Sequence, residues 1–125
     1  MPTRFGVNHR DGNWNDPTVK QWMIDTQTKF IRTSVSWRDC QSSENGPIDF
    51  SGLDATMASY LAAGMTPCVI VWKAPAWITS SPSGDGPYDM VGGDPSQMAA
   101  FMAALTSHYP AVLWYEMYNK PDRIA

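Results

Sequence analysis

Four β-rich segments alternate with helical patterns along this chain, and this alternation limits the possible folds more than any other feature. The segments cover residues 5–8, 30–37, 67–72 and 112–118. They recur at intervals of roughly 30 residues, the size of the strand–helix units in a barrel. Strands separated by helices pair in parallel through right-handed crossovers. The sequence therefore predicts an α/β fold built from parallel βα repeats.

The predicted helices have recognisable beginnings and ends. Asp16-Pro17 and Asp94-Pro95 each combine a capping aspartate with proline at the first helical position. Another helix is predicted to begin after Asp49 and to end at Gly64. Apolar residues at helical spacing predict the buried face of each helix. These faces comprise Val19, Trp22, Met23 and Thr26, then Phe50, Leu53, Met57, Tyr60 and Leu61, then Met98, Phe101, Met102, Leu105 and Tyr109.

Two connections are rich in polar or small residues. Residues 38–47 form a predicted polar loop, and residues 80–93 are dense in serine, glycine and proline. The second is too long for an ordinary connection, so we interpret it as either a mobile loop or a binding loop. The length of 125 residues favours a single domain over 1–125.

Composition excludes several function classes. The net charge is −3 and no basic stripe is visible, which argues against nucleic acid as a partner. No apolar stretch is long enough to cross a membrane, and no signal peptide pattern is present, so a cytoplasmic location is the default expectation. The two cysteines, Cys40 and Cys68, and the two histidines lack metal-ligand spacing. We expect no metal, no cofactor and reduced thiols, with a single disulfide as the open alternative.

Residues 114–122, Trp-Tyr-Glu-Met-Tyr-Asn-Lys-Pro-Asp, have the layout of a strand that runs into a turn. Pro121 ends the strand because proline has no N–H for the ladder. The segment resembles the fourth strand of the clan A glycoside hydrolases, which reads Trp-Glu-Ile-Trp-Asn-Glu-Pro in several of its families. Asn119 and Pro121 match that pattern, and Glu116 matches its first glutamate. Lys120 stands at the position of the catalytic acid/base.

The resemblance extends over nearly the whole chain. Residues 5–8 look like the first strand, and Ile31-Arg32 followed by Trp37 looks like the second. Residues 48–54 are similar to the start of the second helix, and residues 64–71 and 74–77 to the third strand and the loop after it. A complete barrel of this type needs about 250 residues. The resemblance therefore implies a half (β/α)8 barrel made of the first four units.

The same resemblance makes catalysis by this chain doubtful. Glycoside hydrolysis needs two carboxylates at a set separation across the scissile bond. Lys120 is cationic where one of them would stand, and the family's nucleophile lies on a seventh strand that four units do not include. We expect little or no independent activity, and whether the protein is an enzyme stays open.

Several residues are implied as ligand contacts, because barrels bind ligands at the carboxyl ends of their strands. The implied substrate-binding residues are Asn119, Arg32, Trp37, Trp77 and His9. Flat aromatic side chains stack on pyranose rings, and Trp77 is the strongest candidate for such a platform. Trp72 is interpreted as core.

Three of the site residues have a second interpretation. Arg32 either faces a ligand or forms an interior ion pair with Glu116, since a buried glutamate needs a partner. Asn119 either binds a sugar hydroxyl or closes the turn before proline. Lys120 is either an exposed turn residue or a partner of Glu116 or of a carboxylate from another chain.

Three functions are compatible with these patterns. The first is a half-barrel with a carbohydrate-facing rim and no catalysis of its own, a pseudoenzyme that binds oligosaccharide. The second is a structural or assembly module, for example of a virus or a surface layer, and the third is a truncated fragment of an active glycosidase. Open sheet edges are usually paired or covered, so we also expect a homodimer or a higher oligomer.

Overall fold

The computed structural model describes residues 6–8, 16–78 and 94–117. Four parallel strands form one sheet in the order β1-β2-β3-β4. The strands are β1 Gly6–Asn8, β2 Phe30–Ser36, β3 Thr66–Trp72 and β4 Trp114–Met117. The helices are α1 Pro17–Asp25, α2 Trp37–Cys40, α3 Ser51–Ala62 and α4 Pro95–His108. The predicted fold is confirmed: parallel strands alternate with helices as in half of a (β/α)8 barrel.

The predicted helix boundaries are confirmed where the sequence marked them. The Asp16 carboxylate accepts a hydrogen bond from the Thr18 N–H at 2.8 Å, and Asp94 accepts one from the Ser96 N–H at 2.9 Å. Each bond satisfies an amide that the first turn of a helix leaves without a partner. Gly64 follows α3 in a left-handed conformation with φ of 75°, where glycine carries little steric cost.

One face of the sheet packs against the helices and forms the core. Ile31 and Val35 of β2 and Val69 and Val71 of β3 are fully buried on this covered face. Helix residues that belong to the same cluster include Met23, Met57, Met98, Phe101 and Leu105. The predicted buried face of α4 is confirmed, since Met98, Phe101, Leu105 and Tyr109 are buried and Met102 is partly buried.

The opposite face of the sheet, here called the open face, carries the even-numbered strand residues. They are Gly6 and Asn8 of β1, Phe30, Arg32, Ser34 and Ser36 of β2, Thr66, Cys68, Ile70 and Trp72 of β3, and Trp114 and Glu116 of β4. Strand side chains alternate between faces, and the register pairs these residues with one another. None of them belongs to the helix-packed core.

Trp37 does not end β2 at the ligand face, as the sequence pattern predicted. It begins α2 and is fully buried, with its Nε1–H donating to Gln41 Oε1 at 2.8 Å. Its ring stacks on Phe101 with centroids 5.2 Å apart. The Ser36 side chain caps α2, so the chain turns inward one residue before the predicted strand end. Part of the predicted loop 38–47 is therefore helical.

Two apolar residues were wrongly assigned to buried helix faces. Trp22 is 61% exposed and Leu61 is 41% exposed. Each follows or precedes a residue that is buried, Met23 in α1 and Tyr60 in α3. Neighbouring helical residues are about 100° apart around the axis. When two adjacent apolar residues lie at the edge of the packed helix face, one of them is therefore buried and the other is exposed to solvent. Trp22→Ala is therefore expected to remove little core packing and to leave the protein folded.

The remaining expectations concern the thiols, metal-binding groups, membrane spans and the loop 80–93. Cys40 and Cys68 are both free thiols. No group of metal-binding side chains and no helix of membrane-spanning length and hydrophobicity occurs within the described residues. The long loop 80–93 and the predicted strand residues Phe5 and Tyr118 lie outside the described residues.

The covered face predicts a large difference between two leucine truncations. Leu105→Ala removes a fully buried side chain, and we expect it to lower the free energy of unfolding by about 2–5 kcal/mol. Leu61→Ala makes the same chemical change at an exposed position and should cost about 1 kcal/mol or less. Urea unfolding monitored by circular dichroism measures both. Equal losses would contradict the assignment of Leu105 to the core.

Candidate functional site

The open face brings together one arginine and one carboxylate from distant parts of the sequence. Arg32 Nη2 lies 2.7 Å from Glu116 Oε2, and Arg32 Nε lies 3.1 Å from Oε1 and 3.3 Å from Oε2. Two guanidinium nitrogens thus contact both carboxylate oxygens, which fixes the relative orientation of the two planar groups. The side chains are 27% and 43% exposed, so the pair is accessible from solvent.

The sheet register explains how the two side chains meet across an intervening strand. Arg32 pairs with Cys68 of β3, and Glu116 pairs with Ile70 two positions further along the same strand. The arginine therefore reaches over β3 and toward the carboxyl end of β4. Cys68 lies beneath this bridge, and its thiol donates to Glu116 Oε1 at 3.4 Å. The ion pair that sequence reasoning considered for Arg32 is present in the structure.

These contacts shift the pKa of each group. Hydrogen bonds from Arg32 hold the pKa of the Glu116 carboxyl below its usual value, and the bond from Cys68 acts in the same direction. The bond to Glu116 in turn raises the pKa of Arg32. Burial and then the neighbouring carboxylate raise the pKa of the Cys68 thiol. At neutral pH the site therefore holds an ionised carboxylate, a guanidinium cation and a neutral thiol.

Trp77 lies in the segment that follows β3 and is partly buried against the core. Its Nε1–H donates to the Gln41 carbonyl at 3.4 Å, and its ring meets Trp37 edge-on with centroids 5.8 Å apart. One edge of the indole is therefore anchored to the loop after α2. The buried Trp37 acts as a support for Trp77 and presents no face to a ligand.

Trp72 ends β3 on the open face and is half-buried. The Lys73 ammonium lies 4.6 Å from the centroid of a Trp72 ring, which is within the range of a cation–π contact. Lys73 has a φ of 52°, and its carbonyl accepts the Arg38 N–H at 2.9 Å. The interpretation of Trp72 as simply core is thus incomplete, because part of its ring is accessible beside a cation.

The structure brings together only some of the residues that the sequence predicted for the site. Arg32 and Glu116 are in contact, and Trp77 lies in the loop beyond the end of β3. His9, Asn119 and Lys120 lie outside the described residues, so their predicted roles stay predictions.

Sequence reasoning also missed an aromatic pair on the open face. Phe30 and Trp114 meet edge-to-face with ring centroids 5.4 Å apart. Strand alternation was the available signal, because Trp114 is two residues from Glu116 and must share its face.

The arrangement limits the chemistry of the described site. Glu116 is the one carboxylate among the residues of the four described strands. Its lowered pKa keeps it ionised at neutral pH, so it has no proton to donate to a leaving group. An ionised carboxylate and a guanidinium nevertheless offer acceptors and donors for the hydroxyl groups of a polar ligand.

No protein-family model and no curated protein sequence matches this chain. Solved structures do resemble it. A family 39 glycoside hydrolase from the gut symbiont Bacteroides cellulosilyticus WH2 superposes with a TM-score of 0.75 at 15% identity, over 98% of this chain and 25% of that protein. Two structures of the endoglucanase Cel5A from Pseudomonas stutzeri, one of them in complex with cellobiose, superpose with TM-scores of 0.65 at 15% identity. They cover 90% of this chain and 40% and 39% of the respective enzyme chains.

These similarities concern the fold. The chain has a glycoside-hydrolase-like fold and corresponds to part of a TIM barrel. It spans between a quarter and two fifths of the length of those structures. At 15% identity the superposition carries no residue roles from one protein to another.

The contact between Glu116 and Cys68 predicts a change in thiol reactivity. Glu116→Gln removes the negative charge that helps to raise the pKa of the Cys68 thiol, while the positive charge of Arg32 remains. Since the thiolate is the reactive form, we expect Cys68 to react several-fold faster with iodoacetamide at about pH 8.

The measurement uses a Cys40→Ser background, so that only one thiol is counted. In the unmodified protein, burial raises the pKa of Cys40 to about 11, and that thiol should react slowly with or without Glu116→Gln. An unchanged rate at Cys68 would show that Glu116 does not control the thiol.

Proposed function

We propose that this chain is a carbohydrate-binding half-barrel of glycoside-hydrolase type that does not cleave glycosidic bonds by itself. The observation that carries this proposal is the bridge between Arg32 and Glu116 on the open face. It supplies accessible polar groups in fixed positions and lowers the pKa of Glu116, which is opposite to the shift that an acid catalyst needs.

Sugar binding requires an aromatic surface beside such polar groups. Trp77 follows β3 on the side where barrels bind ligands, and its anchored edge keeps the indole in one orientation. An aromatic platform that is already ordered loses little conformational freedom when a ligand stacks on it. Asn119 and His9 are proposed as further polar contacts, on the strength of their sequence positions after β4 and β1.

The absence of independent catalysis follows from charge as well as from the number of carboxylates. Hydrolysis of either stereochemical type uses two carboxyl groups, one of them protonated. Glu116 is ionised and engaged by Arg32, and Lys120 adds a cation where the resemblance expects the acid. A positive charge there would also disfavour an oxocarbenium-like transition state.

We expect no hydrolysis of aryl glycosides above the buffer blank, and Lys120→Glu should not create activity. That substitution restores one carboxyl group, but Glu116 remains bound to Arg32 and the described strands offer no second free carboxylate. Release of nitrophenol from a panel of nitrophenyl glycosides measures this. Turnover by the unmodified chain that disappears in Glu116→Gln or Asn119→Ala would contradict the proposal.

Ligand binding should depend on Trp77. Loss of one stacked aromatic is expected to cost about 1–3 kcal/mol, which is roughly a 10- to 100-fold loss of affinity. We expect Trp77→Leu to weaken binding by that factor in fluorescence titrations with soluble oligosaccharides. Cellobiose is the first ligand to test, since one of the similar endoglucanase structures contains it.

Trp22→Leu is the matched control, because it removes another tryptophan from the exposed surface of α1. Trp77 also packs on Trp37, so Trp77→Leu should lower the melting temperature somewhat, and titrations are done well below that temperature. Equal affinities for both variants would exclude Trp77 as the platform.

A second candidate is a structural or assembly module, in which the half-barrel is an interaction surface. The observation that favours it is the number of exposed apolar side chains, among them Trp22, Leu113 and Met117. A chain that binds no member of the oligosaccharide panel would support this candidate against carbohydrate binding. A fragment of an active glycosidase would instead gain hydrolysis when the missing half-barrel is supplied.

A further inference from the structure

We propose that two copies of this chain close a single eight-stranded barrel around a two-fold axis that runs parallel to the strands. In this arrangement the two open faces meet in the barrel interior. The β4 edge of each copy pairs with the β1 edge of the other. The proposal concerns assembly and does not depend on carbohydrate binding.

The open face is the first reason for the proposal. Parallel sheets are almost always covered on both faces, whereas the helices of this chain pack on one. The open face carries apolar side chains that are still partly exposed, with Phe30 and Trp114 in edge contact and Trp72 at the end of β3. Cover over this face would remove that apolar surface from water, which is favourable at about 25 cal/mol per Å².

The edge formed by β4 is the second reason. Leu113, Trp114 and Met117 are 66%, 49% and 60% exposed, and together they make half of the large exposed apolar residues in the described parts of the chain. Proteins usually protect a free edge with charges, proline or a covering element. In the described sheet β4 is an edge strand, and an apolar edge is instead suited to strand pairing.

The flank of α1 beyond β1 is the third reason. Lys20 Nζ donates to Ser59 Oγ of α3 at 2.8 Å, which shows that the Lys20 side of α1 faces α3. Trp22 is two residues further along the helix and therefore about 200° around it. Its exposed indole points away from α3, toward the side where the sheet ends at β1.

These surfaces fit together in the proposed dimer. Met117 pairs in register with Val71, so its side chain lies on the helix-covered side at the β4 edge. When β4 of one copy lies beside β1 of the other, Met117 and Trp22 of the second copy flank the same junction. The two-fold axis creates this junction twice, and every strand keeps the same direction, as a (β/α)8 barrel requires.

Charge favours a second copy as the occupant of the open face. Arg32 and Glu116 neutralise each other within one chain, so the described strands of two copies bring no unpaired like charges into the interior. The four described strands of two copies give the eight that close a barrel of this type.

The test is the mass of the 125-residue chain in solution, measured by sedimentation velocity at micromolar concentration. We expect twice the chain mass of 13.9 kDa. Met117→Arg and Trp22→Asp place charges at the proposed junction and should each raise the dimer dissociation constant at least about 10-fold. Leu61→Arg places a charge at an exposed apolar position of α3 and should leave it unchanged.

Hydrogen exchange gives a second measurement that does not rely on substitutions. In the closed dimer, the outward amides of β4 are bonded to β1 of the other copy, so their protection should increase with protein concentration. A monomer at micromolar concentration would overturn the proposal. A dimer that is insensitive to Met117→Arg and Trp22→Asp, or equally sensitive to Leu61→Arg, would overturn it as well.

Discussion

The structure depends on a parallel sheet that packs against helices on one face. Right-handed crossovers place every connecting helix on the same side, and the odd-numbered strand residues build the core beneath those helices. Stability therefore resides in the covered face. The even-numbered residues do not belong to this core, and the accessible ion pair between Arg32 and Glu116 lies among them.

The ion pair between Arg32 and Glu116 is a positioning contact more than a source of stability. Both side chains are partly exposed, and accessible pairs contribute about 0–1 kcal/mol. Its effect is geometric, because the bidentate contact spans β3 and joins β2 to β4. It also affects protonation, since hydrogen bonds from the guanidinium lower the pKa of Glu116, and burial together with the carboxylate raises the pKa of the Cys68 thiol.

Local sequence signals were sufficient to predict the helix ends, because these depend on interactions within one helical turn. The capping aspartates, the prolines after them and Gly64 act within one helical turn, and each lies where the sequence predicted. The contact between Arg32 and Glu116 was predictable from the sequence, because a carboxylate in a barrel interior needs a charged or hydrogen-bonding partner.

The residues that were wrongly placed depend on small displacements or on neighbours. Trp37 was predicted at the ligand face but lies in the core, because β2 ends one residue earlier than its β-rich pattern suggests. Trp22 and Leu61 lie at the margins of their helix faces, where a rotation of about 100° separates burial from exposure. Amphipathic spacing does not resolve which member of an apolar pair turns inward, because that choice depends on the element packed against it.

The division between the two faces allows a chain of this kind to keep a glycoside-hydrolase-like fold whatever chemistry its site performs. A substitution on the open face, such as Glu116→Gln, alters charge at the site and leaves the buried residues of the covered face unchanged. Loss of a carboxyl group on the open face is therefore compatible with an intact sheet. The hydrogen bonds from Arg32 lower the pKa of the Glu116 carboxyl, which is opposite to the shift that a general acid needs. Binding tolerates this arrangement, since an ionised carboxylate still accepts hydrogen bonds from hydroxyl groups. The fixed polar groups of the open face are thus suited to recognition of a polar ligand. Cleavage of a glycosidic bond also needs a proton, which the described site does not hold.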